Sequence, residues 1–178
     1  MFDRDGLIAA CTTHGRVVRV VVTAVHGSAP REVGASMCVW ADGQSGTIGG
    51  GALEYELSLQ ARILTQDSRS RHALGPDLGQ CCGGAVEVLS EVYDLQRARA
   101  LPKEVIARGL GPMPLSVKRV MQMARNQGQA PASQMLDGWM IEPVNTLDSA
   151  LCIWVEGHVG SALVAILPQI PYYRLTWI

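Results

Sequence analysis

The chain has little of several things that mark broad function classes. Its 15 Lys and Arg stand against 16 Asp and Glu, a formal net charge of −1, so no basic excess points to nucleic acid or to an anionic membrane surface. No stretch approaches the roughly 18 to 20 consecutive apolar residues that a membrane-spanning helix needs. The opening Met1-Phe-Asp-Arg-Asp-Gly6 is acidic and has no apolar run behind a basic patch, so it does not read as a secretory signal. A cytoplasmic location is therefore expected. The five cysteines (11, 38, 81, 82 and 152) form an odd set without the repeated spacing of a metal finger, and a reducing compartment excludes a disulfide framework. Any special thiol is there for reactivity or ligation.

What is present is ordinary globular material: 178 residues with 48% apolar content, enough for one full domain and part of another. Residues 3–14 read as a short helix, and Arg16 to Val25 is a β-branched run that reads as a buried strand. Ala35 to Trp40 reads as a second strand, and Asp42-Gly43 as a turn. A helix is expected from Ala52 to Gln66, with Leu53, Leu57, Ala61 and Leu64 on its buried face. Ala85–Tyr93 alternates Val86, Val88 and Val92 with Glu87 and Glu91 and reads as another strand.

Beyond residue 97 the composition shifts. Leu101 to Pro143 carries five of the nine prolines and five of the seven methionines, with one helix expected at Leu115–Arg125, and reads as an inter-domain connection. Leu151–Val155, Gly157–Leu167 and Tyr173–Ile178 then follow the strand, helix, strand order of one βαβ unit. The expected class is α/β: a compact domain with a mixed sheet over 1–97, a linker over 98–148, and a partial Rossmann-like βαβ unit over 149–178.

Three motifs carry the chemistry. They are Gly27-Ser-Ala-Pro-Arg31, Gly46-Thr-Ile-Gly-Gly-Gly51 and Gln80-Cys-Cys-Gly-Gly84. Each pairs permissive backbone with groups able to hold an anion or a soft metal centre. Gly49, Gly50 and Gly51 precede a helix, where loop N–H groups and the helix dipole converge on a place for a phosphate. A tight strand-to-helix turn would require the same glycines. Glu54, in the first turn of that helix, either pushes an anion away over the loop or orders the loop itself. Arg31 follows Pro30, which stiffens the loop and presents the guanidinium from a defined strand end, with Ser28 as a second donor. His26, alone at a strand end, reads as structural. Cys81 and Cys82, flanked by Gln80 and by Gly83 and Gly84, are thiols with flexible neighbours, suited to a soft metal or to sulfur chemistry. The residues alone do not say which of the two acts.

In order and spacing these motifs resemble the xanthine dehydrogenase accessory proteins, the XdhC/CoxI family. The resemblance covers most of 1–100 and returns at 139–178. It implies a chaperone that binds the molybdenum cofactor (molybdopterin), shields it during sulfuration and passes it to a xanthine dehydrogenase or related molybdenum hydroxylase, with no turnover required. It further implies that Cys82 contacts the metal or its sulfur ligand, while Ser28, Arg31, Gly49, Gly50, Gly51, Gln80, Cys81 and Gly83 hold the remainder. A cysteine desulfurase is a further partner it allows, and the open edge of the last expected strand, Tyr173–Ile178, offers a surface for a second copy of the chain; a nucleic acid and a membrane span are not expected. Near the C-terminus Val155-Glu-Gly-His-Val-Gly160 stands where the family has Gly-Ala-Gly-His-Val-Gly. The lost turn glycine and the carboxylate beside it oppose a pyrophosphate, and the expected acidic residue after the second strand is missing, so a truncated unit without NAD(P) binding is expected. The alternative functions are a small NAD(P)-dependent oxidoreductase using Gly157–Gly160, and a non-catalytic scaffold that meets a partner enzyme.

Overall fold

The computed structural model describes residues 1–75, 83–109, 111–145, 150–154, 157–167 and 174–178. The chain divides into two compact units, Met1–Val144 and Asn145–Ile178.

The first unit opens with α1 (Arg4–His14), whose N-terminus is capped by Asp3 accepting the Gly6 N–H at 2.8 Å. Strand β1 (Val17–His26) follows, then β2 (Ser36–Val39), β3 (Gln44–Gly46) and helix α2 (Gly51–Ile63). Next come β4 (Ser68–Ala73), β5 (Ala85–Tyr93) and the short α3 (Leu95–Arg99). These strands form one sheet in the order β3-β2-β1-β5-β4, and every pairing in it is antiparallel. The α/β class holds, but this sheet is not mixed. No crossover helix returns the chain alongside a parallel strand, because α2 carries it from the β3 edge to the opposite edge at β4.

The stretch expected to be a connection is folded. It contains β6 (Val105–Arg108), α4 (Leu115–Gln127), β7 (Gln134–Leu136) and β8 (Trp139–Pro143), which make a second antiparallel sheet in the order β6-β8-β7. The assignment of 98–148 as a linker is thus corrected, and the first unit runs to Val144 rather than ending at 97. The prolines punctuate elements: Pro114, for example, is the N-cap residue of α4 and Pro143 closes β8. Four of the five methionines in this stretch are packing residues, with Met140 fully buried and Met113, Met121 and Met135 packed against core clusters, while Met123 is exposed.

The two sheets face each other across β1. Val18, Val20 and Val22 point to one side, where they meet Leu53, Leu57 and Ala61 of α2. Val21 lies on the other side with Leu89 and Met140. Burial of both faces accounts for a β-branched run without alternation. On its outer side the small sheet is covered by α4, through Val117 against Val105 and Ile141.

Charge is buried between the sheets. Arg19 of β1, 2% exposed, donates from both terminal nitrogens to Glu142 of β8 at 2.9 and 2.8 Å. Arg108 of β6 donates to Glu91 of β5 at 2.6 Å and also bonds Glu142. Both guanidiniums lie over the buried Phe2 ring. Glu91, one of the polar positions in the β5 alternation, is 1% exposed. Two cations against two carboxylates leave the group neutral, which allows such burial.

In the second unit, β9 (Ala150–Ile153), α5 (Gly157–Ile166) and β10 (Arg174–Trp177) form a two-stranded parallel pair with its helix. That is the βαβ order expected from the sequence. Val155 and Glu156 lie outside the described residues.

Candidate functional site

Antiparallel register gathers the glycine motifs at one end of the five-stranded sheet. His26, the last residue of β1, pairs with Ala85, the first of β5, and Ala85 in turn pairs with Ala73, the last of β4. Gly46, at the end of β3, pairs with Met37 near the start of β2. The loops that leave these ends are therefore neighbours.

Their contacts are close enough to exclude side chains. A β-carbon on Gly49 would lie 2.5 Å from Cγ of Pro30 and 3.4 Å from Cγ of Arg31. One on Gly84 would lie 2.5 Å from the His26 carbonyl oxygen and closer still to that of Ser28. The Gly84 N–H donates to Ser28 O at 3.1 Å, and its carbonyl accepts from Leu74 N at 2.7 Å. The first motif thus touches the second through Pro30 and Gly49, and the third through Ser28 and Gly84. Gln80, Cys81 and Cys82 lie outside the described residues, so the structure places the third motif through its two glycines.

The second motif is a pre-formed loop. Gly49, Gly50 and Gly51 have φ of 126°, 73° and 71°, backbone that side chains disfavour. From below, the buried Ile48 side chain anchors it in the α2 core. From above, the Glu54 carboxylate accepts from Thr47 Oγ1 at 2.6 Å, Gly50 N at 2.9 Å, Ile48 N at 3.0 Å and Gln44 Nε2 at 3.1 Å. Gly49 N donates to Thr47 Oγ1 at 3.0 Å. Of the two arrangements open to Glu54, it adopts loop-ordering. The amides of Gly49 and Gly50, expected to cradle an anion, serve the protein's own side chains here. Burial works to raise the Glu54 pKa, but the hydrogen bonds from Thr47, Gly50, Ile48 and Gln44 outweigh it and hold the carboxyl below its ordinary value.

The first motif is more open. Residues Gly27 to Val33 line a broad depression of about 550 Å³, with Ser28 exposed and the Arg31 side chain 37% exposed. Arg31 meets the neighbouring Glu32 at 3.4 Å through both Nε and Nη2. Glu32 was not singled out from the sequence, although adjacency to Arg31 was its available signal. Its carboxyl is held below the ordinary value, first by its own backbone N–H and then by Arg31. An exposed pair of this length contributes less than about 1 kcal/mol, so the guanidinium can exchange this partner for a stronger anion. His26 lies 3.2 Å from Glu87 on the sheet surface.

Among the described residues no group of three or more His, Cys, Asp or Glu side chains is arranged to hold a metal ion. Cys11 is buried and Cys38 half-buried, and burial raises both thiol pKa values, that of Cys38 to about 11. Cys152, in β9, is exposed. Among the described residues no helix is long and apolar enough to cross a membrane.

The class this geometry defines is an α/β protein with a loop-built site at a sheet end, walled by three glycine motifs. Residues 10–74, which contain the first two motifs, match the sequence model of the XdhC and CoxI family. The third motif lies beyond that match. A crystal structure described as a xanthine dehydrogenase from Bacillus halodurans is similar at 20% identity and a TM-score of 0.50, over 90% of this chain and 47% of that one. That likeness is one of fold, and this chain spans about half the length of that one. No curated protein matches the chain.

Proposed function

We propose that the sheet-end site receives the molybdenum cofactor and that the protein acts as an accessory factor that delivers it to a xanthine dehydrogenase-type hydroxylase. The family match over 10–74 supports the accessory role. The observation that carries the cofactor reading is the meeting of the three motifs through Pro30 with Gly49 and Ser28 with Gly84. A site whose parts lie far apart in sequence, yet exclude side chains where they touch, is suited to closing around one ligand.

The residues divide the work. Arg31, paired among the described residues with exposed Glu32, takes the anionic parts, and the Ser28 hydroxyl is a second donor. Gly51 opens α2, where the first N–H groups lack intrahelical partners, and Gly83 contributes further backbone. Glu54 with Thr47 holds the loop in its binding shape, so that Gly49 and Gly50 provide close approach rather than free donors. Cys82, two residues before Gly84, is the preferred soft ligand, with Cys81 and Gln80 beside it. The cofactor itself supplies the molybdenum chemistry, in the enzyme that finally receives it.

Anaerobic titration of the full chain with molybdopterin, followed by calorimetry and gel filtration, tests this reading. Binding near one to one is expected, and Cys82→Ala should lose it. Absence of binding would overturn the proposal.

A further inference from the structure

The first unit holds a second cavity that shares no residue with the glycine loops. It measures about 420 Å³, the size of a small-molecule site. One wall is apolar: Leu89, Ala107 and the indole of Trp139. The indole lies directly against Gly109, where a β-carbon would come within 2.5 Å of its Cγ. Gly109 thus lets the ring seat against the backbone as a flat surface.

The other wall is cationic. Arg69, Arg97 and Arg108 line it together with Asp67 and Glu91. Arg97 is neutralised by Asp67 through two hydrogen bonds of 2.8 and 2.6 Å. Arg108 belongs to the neutral buried group with Arg19, Glu91 and Glu142. Arg69 remains: it is exposed, donates to the carbonyl of Gly138, and has no carboxylate partner among the described residues. The lining therefore carries one positive charge in excess. Independently, Nη1 of Arg108 is buried without an acceptor, on a side chain only 10% exposed, while Oε2 of Glu91, also buried without a hydrogen bond, faces Arg19 at 3.6 Å. A buried donor in that state leaves its desolvation uncompensated.

An excess charge of one, an unpaired guanidinium N–H and a flat aromatic wall select a single kind of ligand. We propose that this cavity binds a small planar monoanion, an aromatic or heteroaromatic carboxylate. Its ring lies on Trp139 between Leu89 and Ala107, and its carboxylate is taken by Arg69, with the Arg108 guanidinium beneath as a further positive charge. The proposal is independent of the cofactor reading, since it uses none of the same residues.

Calorimetric titration of the full chain tests it with four probes: indole-3-acetate, its neutral amide, acetate and inorganic phosphate. Saturable one-site binding is expected for indole-3-acetate, with each other probe at least about tenfold weaker. Arg69→Gln should weaken indole-3-acetate by about tenfold, whereas Arg119→Gln, which removes an equal charge from exposed α4 surface, should not weaken it. The proposal is overturned by absence of saturable binding at millimolar probe, by equal binding of acid and amide, by phosphate binding as well as the aromatic acid, or by equal effects of the two substitutions.

Discussion

Gly49 and Pro30, nineteen positions apart by their numbering, are packed so closely that a β-carbon on the glycine would lie 2.5 Å from the proline ring. Gly49 also sits at φ 126°, while its neighbour Gly50, at φ 73°, faces open space. Strain and collision therefore coincide at one position and separate at the next. Gly49→Ala should destabilise the first unit by roughly 2–3 kcal/mol, and Gly50→Ala by about 1 kcal/mol. Thermal unfolding of the two variants checks the order; equal losses would mean that the contact with Pro30 is slack.

Glu54→Gln should cost on the order of 1–3 kcal/mol at pH 7, because the amide replaces a carboxylate that accepts four hydrogen bonds. The pH dependence follows from the sign of the shift. The folded-state pKa lies below the ordinary value of 4.5, so the unfolded chain binds the proton more readily. The contribution is complete above that value and fades as the pH falls through the folded-state pKa. Denaturant titrations of both proteins at pH 7 and at successively lower pH should show the gap narrowing. A gap that persists in strong acid would contradict the assignment to the charged carboxylate.

Glu142→Ala should cost about 3–5 kcal/mol, since it leaves Arg19 and Arg108 buried against Glu91 alone. The double variant Arg19→Met with Glu142→Leu should be more stable than the single one, because the 2.6 Å pair of Arg108 with Glu91 survives and no excess charge is left. Denaturant midpoints measured side by side decide this. A double variant that is less stable than the single one would show that the buried ions stabilise the sheet contact beyond their neutrality.

Arg31→Ala should change folding stability by no more than about 0.5 kcal/mol, because its ion pair among the described residues is the exposed one with Glu32. On the proposed function it should weaken molybdopterin binding by about tenfold or more. Affinity and melting temperature measured on the same preparation separate the two effects, and unchanged affinity would remove Arg31 from the site.

Cys11 and Cys38 should resist alkylation in the native protein near neutral pH, since burial keeps both as thiols. Mass spectrometry after brief iodoacetamide treatment, with and without denaturant, reads this out. Labelling of Cys38 at the rate of the denatured chain would contradict its burial.

Much of the local structure was legible in the chain. Helix α2 was visible in the spacing of Leu53, Leu57 and Ala61, and β1 in its β-branched run, because these patterns reflect which face each residue buries. Strands β3 and β4 were missed: Gln44–Gly46 and Ser68–Ala73 are sheet edges with little apolar side chain to reveal them. The length of the first unit was missed for a related reason. Prolines that terminate elements and methionines that fill a core have the same composition as a loose connection, and only packing tells them apart.

The amino-acid sequence by itself determined where the backbone had to be glycine and which residues were able to carry chemistry, since conformational permissiveness and side-chain functional groups are local properties. Tertiary structure alone decided that residues 27–31, 46–51 and 83–84 meet at one sheet end, because antiparallel register is set by partners far along the chain. It also decided that Glu54 occupies the loop amides and that Arg19, Arg108, Glu91 and Glu142 lie between the sheets. A charge reads as solvated until its counterion is known, and here the counterions come from different strands that only the fold brings within hydrogen-bonding distance.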